Sequence, residues 1–325
     1  MSTPIFLHGK NTRVLLACPS SAYGTFSAVT TNGSPSITVL YTGFALAPGM
    51  AVSGAGIPAN TYIVSVYVNT VLLSASATAT STLNAPTVVT VPVSNGVSYD
   101  LSQFLNDIGI SRMTEPTETT TFQTGQSKSY IAGIRDGSIT ASGFYDGGAS
   151  GVDAVLNNVI YTAGDKAVLA FPDGGQTGSP SVCYMANAIA TKYDLKSPVS
   201  GVVAMDTEFQ SDRGVWRGRG EYLKITTSGT TNTYDFSTST TKGGLLVLGI
   251  AAVTGAPTSV TLSFQHSQDG ASWVSPTGGT LATETGLGAT VALLTGTVYE
   301  YTRLSYTISG GSSPTATAFY GFARY

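Results

Sequence analysis

The chain has 325 residues, of which 10% are charged and 42% hydrophobic, with 17 Tyr, 12 Phe, 38 Gly and a net charge of -3. So few Glu and Lys exclude long helices stitched by ion pairs, and so much apolar surface excludes a disordered chain. The small net charge argues against a protein that grips nucleic-acid phosphates, and no uncharged run is apolar enough to span a bilayer as a helix.

Met1 to Lys10 lacks the basic start, apolar stretch and small-residue cleavage site of an export signal, so the expectation is synthesis and folding in cytoplasm. From Val14 to Tyr99 there is no Asp, Glu, Lys, Arg or His. Within this neutral stretch Ser36–Tyr41, Thr61–Tyr67 and Thr70–Ser74 are β-branched and aromatic runs separated by turn residues, which predicts a small β module over 22–95.

The chain then changes character. Asp100 to Asp212 holds thirteen acids against six bases, a net of -7, whereas residues after Asp212 hold seven bases against five acids, a net of +2. In the acidic segment DLSQFLND suggests a short helix near Asp100, and Ile131 to Tyr145 alternates as a long strand or bent strand pair. Val152, Val155, Leu156 and Val159 fall at i, i+3, i+4 and i+7, which predicts a helix with Ser150 and Asp153 spaced as a capping box. Val168–Phe171, Ser181–Tyr193 and Val199–Phe209 read as strands. From about Gly220 to Tyr325, strand signals such as Val260–His266 and Thr297–Ser309 recur between turns at the spacing of a β-sandwich. The fold class is therefore all-β with one or two short helices, in blocks 1–21, 22–95, 96–212, a linker over 213–219, and 220–325.

Chemistry-bearing constellations are sparse. Asp206 and Glu208 alternate on one strand face and could serve as a glycosidase pair, but no His, Trp or Arg-rich pocket loops surround them in sequence. His8 and His266 lie in different blocks, Cys18 and Cys183 lack metal-ligand spacing and read as free thiols, and no Gly-x-Ser-x-Gly elbow occurs. No catalytic residue, cofactor or metal is expected. Arg213, Arg217 and Arg219 around Trp216 read as a solvated link rather than a base-stacking patch, and Trp273 with the tyrosines of VYEYTRLSY reads as sandwich core rather than a sugar platform.

One stretch carries a resemblance. In Tyr99 to Gly148, an Asp-Leu-Ser-x-x-Leu opening is followed by Glu-x-Thr-x-Phe, by Tyr-Ile-x-Gly-x-Arg-Asp-Gly and by Gly-Phe-Tyr-Asp. That order resembles the tail tube proteins of long-tailed, siphovirus-type bacteriophages, and the likeness continues through Val152–Ile160 and Ala188–Gln210. With residues 1–21 as an arm it covers less than half of the chain. Pro48–Thr80 also resembles short hairpin modules of phage tail and fibre proteins.

The resemblance implies a virion-tail location and six subunits closing a ring that shares one β-barrel. Rings would stack into a tube that conducts DNA, with a tape measure inside and tip and terminator proteins at its ends. It makes 96–212 the tube core, with the 22–95 module and the 220–325 sandwich on its exterior, where they could contact a host surface or glycan. It also makes Thr114 to Lys128 an inter-ring loop, with Thr114, Glu118, Phe122, Gly125 and Lys128 as candidates. The acidic excess suggests that some of Glu115, Glu118, Asp136, Asp146, Asp194, Asp206 and Glu208 line the bore and repel DNA. A virion-surface or secreted glycan-binding adhesin is the alternative from composition, and a glycan-degrading enzyme is a third reading.

Overall fold

The computed structural model of the chain describes residues 11–18, 25–41, 46, 51–90, 97–120, 128–147, 151–161, 166–175, 178, 180–284 and 286–325. It is nearly all β, with one short helix among the described residues.

Strand β1 (Arg13–Cys18) precedes six strands that pair only with one another: β2 (Thr25–Val29), β3 (Ser36–Tyr41), β4 (Ala51–Gly54), β5 (Ile57–Val66), β6 (Thr70–Leu73) and β7 (Thr87–Thr90). They close into a barrel in the order β2-β3-β6-β5-β4-β7. Alternation sends Phe26, Ile37, Val52, Ile63, Val71 and Val89 inside, each at most 3% exposed. A turn with Gly33 at φ +79° joins β2 to β3.

The chain returns through β8 (Val97–Asp100), which pairs antiparallel with β1 and places Val97 opposite Cys18. Next come β9 (Leu105–Glu118), β10 (Tyr130–Phe144), α1 (Val152–Tyr161), β11 (Lys166–Phe171), β12 (Ser181–Lys196), β13 (Ala204–Ser211) and β14 (Trp216–Ile225). The remainder is β15 (Gly229–Thr230), β16 (Tyr234–Asp235), β17 (Gly244–Thr254), β18 (Ser259–Ser267), β19 (Thr280–Glu284), β20 (Gly288–Leu294), β21 (Tyr301–Ser309) and β22 (Thr315–Arg324).

The short helix expected at DLSQFLND does not form, and Leu101–Phe104 is a turn into β9. Asp100 captures the backbone there, its Oδ1 accepting the Ser102 N–H at 3.0 Å, which stabilises a turn in place of a helix start.

One large sheet runs β20-β17-β22-β14-β12-β11-β1-β8, with β13, β10 and β9 branching from β12. It curls so that its ends meet, the Ser98 hydroxyl donating to the Gly288 carbonyl at 3.1 Å. Leu15, Leu169, Phe171, Met185, Leu245, Val247 and Phe319 fill the inside of this curl. The outer side of β14, β17 and β22 presents Leu223, Leu246, Leu248 and Phe322 to Val260, Leu262, Phe264 and Leu304 of the five-stranded sheet β15-β21-β18-β19, in which β16 also pairs with β21.

The linker expected over 213–219 is therefore corrected. Trp216 to Arg219 are strand, bonded to Met185–Val182 of β12, and the same strand continues against β22. The middle layer is common to the sandwich and to the central core, so 220–325 supplies strands to both.

On the far side of β1, β11 and β12, helix α1 buries Val152, Val155, Leu156 and Val159 against Val168, Ala186, Met205 and Phe209. Four such side chains contribute roughly 6 to 12 kcal/mol of gross burial before chain entropy is counted.

Candidate functional site

β9, β10, β13 and β12 form a four-stranded antiparallel sheet whose two faces differ. β13 shows the contrast most clearly: Met205, Thr207, Phe209 and Ser211 are buried, while Asp206, Glu208 and Gln210 between them are not. β10 alternates in the same way, with Ile139 and Ala141 buried and Ser138, Thr140 and Ser142 open.

Register then fixes which groups share the open face, because directly paired residues point to the same side. One rung reads Asp107, Ser142, Asp206, Asp194 across the four strands. The next reads Gly109, Thr140, Glu208, Lys192, and Ser111, Ser138, Gln210 and Ile189 follow. Asp136 pairs with Met113 one step further, and Glu115 lies two residues beyond Met113 on the same face. The face thus carries Asp107, Glu115, Asp136, Asp194, Asp206 and Glu208 against Lys192 and Lys196.

Two like charges, Asp194 and Asp206, stand directly opposite, an arrangement that costs stability unless neutralised. Lys192 meets Asp194 at 3.0 Å and Lys196 meets Asp206. The Lys196 ammonium and the Ser142 hydroxyl, which donates to Asp206 at 2.7 Å, hold the Asp206 carboxyl below its usual range. The hydrogen bond that Lys192 donates to Asp194 raises the pKa of Lys192. A depressed carboxyl is poorly suited to act as a general acid near neutrality, and both Asp206 oxygens are engaged, one by Ser142 and the other by Lys196, so Asp206 is neither the proton donor nor a free nucleophile of a glycosidase pair. Asp136 accepts from Gln210 Nε2 at 2.6 Å and from the Gly137 N–H at 2.7 Å.

Five of the seven expected acids therefore share this face: Glu115, Asp136, Asp194, Asp206 and Glu208. The other two do not. Glu118 falls on the opposite side of β9 and pairs with Lys128 at 3.3 Å, and Asp146 lies beyond the end of β10. Asp107 belongs to the set and was missed because DLSQFLND reads as helix. A strand reading of Leu105–Ile110, with Ile108 and Ile110 alternating against Asp107 and Gly109, would have found it.

Of the inter-ring candidates, Thr114 and Glu118 are in β9, Lys128 lies two residues before β10, and Phe122 and Gly125 lie outside the described residues. The outer parts of β9 and β10 form a two-stranded ribbon that exposes Met113, Tyr130, Ile131 and Ile134, the last at 76%.

The sheet's margins are equally informative. β9 pairs only with β10 among the described residues. β12 bonds β11 along Tyr184–Ala188, and on its other edge bonds β14 and then β13. Residues 189–196 consequently have no strand on the β11 side among the described residues. Strand directions alternate across the sheet, so these two open margins run in opposite directions.

Elsewhere, His8 lies outside the described residues. His266 is buried, accepts the Tyr299 N–H at its Nδ1 (3.0 Å), and is driven below its usual pKa by that burial. Burial likewise raises both free thiols, Cys18 to about 12 and Cys183 further. The Trp273 ring is covered by the Arg303 guanidinium at 4.0 Å, which takes up the flat surface a sugar would stack on. No group of three or more His, Cys, Asp or Glu is placed to hold a metal among the described residues.

No family model matches the chain, and no curated protein matches it. Solved structures give partial likenesses. The tail of an empty gene transfer agent particle with C6 symmetry is 17% identical over 34% of this chain and 80% of its own, with a TM-score of 0.29. The virion of a native gene transfer agent particle gives 13% identity over 34% and 82%, TM-score 0.29. The Dit protein of phage SPP1, described as a hub of the adsorption apparatus, gives 8% identity over 70% and 96%, TM-score 0.26. At these scores the likeness fixes neither fold nor role, and the case for function rests on the sheet itself.

Proposed function

We propose that this chain is a structural subunit of a phage-type tail tube, in which copies join edge to edge into a ring and rings stack around a DNA-conducting bore. The observation that carries this is the four-stranded sheet with one net-acidic face and two oppositely directed margins that are open among the described residues. An open margin exposes unpaired N–H and C=O groups, and association is a standard way to satisfy them. Because the strand number is even, a copy related by rotation sets its β9 antiparallel to β12 of the first, with both acidic faces on the same side. Repeating that heterologous contact closes a ring.

Six copies, the number the sequence resemblance implies, give about 24 strands. At ~4.8 Å per strand and a tilt of ~40°, the wall has a backbone diameter of roughly 48 Å. Side chains leave a bore of roughly 35–40 Å, wider than a DNA duplex. With α1 and the buried core behind one face, the acidic face is the one free to line the bore. Its carboxylates repel phosphates and its two lysines are already paired, so DNA passes without the counterion release that would hold it. Asp107, Glu115, Asp136, Asp194, Asp206 and Glu208 are the lumen residues on this reading. The β9–β10 ribbon, with Thr114, Glu118 and Lys128 and the segment bearing Phe122 and Gly125, projects toward the next ring, where its exposed isoleucines gain cover. A two-stranded ribbon alone is marginal in water, which favours such a partner.

Negative-stain microscopy and sedimentation of the purified chain test the reading. Rings or stacked rings are the expected outcome, and a stable monomer at high concentration overturns it, as would trimeric spikes, which fit the adhesin. Deleting Glu118 to Gln126 should leave a folded protein that no longer forms long tubes, and normal-length filaments from that variant would remove the ribbon's role.

A further inference from the structure

Where the β9–β10 ribbon leaves the body, a cleft of about 370 Å³ is lined by Arg112, Arg135, Arg213, Arg217, Trp216 and Tyr325, among others. Its aromatic floor is fixed, Trp216 meeting Tyr325 edge-on at 4.7 Å. The Arg112 Nε–H donates to the Val215 carbonyl at 2.9 Å, and the Arg135 guanidinium sits 5.3 Å over the Trp216 ring. Two carboxylates are near: Asp212 is paired with Arg213 at 3.3 Å, and Asp136 is engaged by Gln210 and Gly137. Arg135 and Arg217 remain exposed, so the cleft holds a surplus of positive charge. Arg112 and Arg135 alternate with the acidic-face residues of β9 and β10, while Met113 and Asp136 of that face also line the cleft, so it sits at the end of the sheet rather than on one side of it.

The opposite end of the same sheet has the opposite sign. Asp107 stands in the Ser142 rung, five residues along β10 from Gly137, and Asp146 lies just past the end of that strand. Both are exposed, and Asp107 lines a second cleft of about 580 Å³ with Ser102, Asn106 and Thr12. Glu118 and Lys128 pair on the ribbon beyond the arginines, Asp136 is engaged by Gln210, and Lys196 pairs with Asp206 at the acidic end, so the polarity along the strands resides in exposed Arg135 and Arg217 against Asp107 and Asp146.

We propose that the arginine cleft is an axial docking site for a second copy of this chain, receiving the Asp107 and Asp146 end of the copy in the adjacent ring. This rests on the tube reading. Rings stacked head to tail bring unlike ends together, whereas head-to-head stacking would bring guanidinium groups face to face, so the polarity sets a single direction of growth. Trp216 and Tyr325 supply the apolar, partly shielded wall beside which guanidinium–carboxylate pairs are strongest.

The test is charge reversal read by sedimentation and microscopy, with circular dichroism confirming a folded chain. Arg135→Glu with Arg217→Glu should give single rings that fail to stack, and Asp107→Arg with Asp146→Arg should do the same. All four changes together should restore stacking. The milder Arg135→Gln with Arg217→Gln should lengthen the lag before tubes appear and raise the protein concentration they need. Stacking of the first variant at the wild-type level overturns the proposal. So does rescue of that variant by Glu115→Arg with Glu118→Arg in place of the Asp changes, since that would assign the cleft to the ribbon. Wild-type chains that never form rings would sink the tube reading as a whole, an outcome distinct from rings that form and stack unchanged.

Discussion

The β2–β7 barrel and the β9-β10-β13-β12 sheet are built from the same strand chemistry but deal with their margins differently. The barrel has no charged residue, and β2 bonds β7, so no margin is left. The sheet is rich in charge and keeps two margins open among its described residues. Closure within the chain lets a neutral segment stay soluble without guarding side chains, whereas an open sheet depends on charge until a partner arrives. One region is finished alone, and on the proposed reading the other is completed by association.

The sharpest way to break that comparison is to remove what surrounds each region. Ending the chain after Arg219 should abolish cooperative folding, because β17, β20 and β22 cover the core of Leu15, Phe171 and Met185; a sigmoidal thermal transition from that fragment would refute the shared layer. A smaller effect is expected at Gly249, where an added Cβ would fall 2.2 Å from the Phe319 ring. Gly249→Ala should cost about 1–3 kcal/mol in urea unfolding, with no effect on which ends associate.

Smaller again is the pH effect at Asp206. Its carboxyl is depressed in the folded chain, so the stabilisation is present above the ordinary carboxylate range and is lost as pH falls below about 4. Lys196→Gln should move the acid-unfolding midpoint slightly upward in pH, since a pair this open to solvent contributes no more than about 1 kcal/mol. The smallest change is expected from excising the barrel. Cys18 lies opposite Val97, so replacing residues 19–96 with Asn-Gly should turn β1 and β8 into a tight hairpin and leave the melting temperature within a few degrees. A large loss would show that the barrel supports the body.

Much of the strand pattern was legible because alternation records which side is buried: Ile131–Tyr145 became β10, and the 3.6-residue spacing of Val152 to Val159 became α1. What local spacing does not record is pairing across distance. Trp216–Arg219 reads as a polar link because its arginines are frequent and its apolar residues few, yet Gly218 and Gly220 let β22 approach closely, an added Cβ meeting the Phe322 and Tyr320 carbonyls at 2.3 Å and 2.0 Å. Of the acidic face, Asp206 and Glu208 were readable from one strand, while Asp107 and Asp194 join them only through the register of partners more than ten residues away.

The place of β22 bears on biosynthesis. It follows every other strand in chain order, yet it lies between β14 and β17 in the middle layer. During translation the barrel can close soon after its six strands emerge, since their pairings are local. The central core stays uncovered on one side until β22 is made. The central core therefore matures only after β22 is made, and on the proposed reading the sheet's open margins are presented by a settled subunit only from that point on.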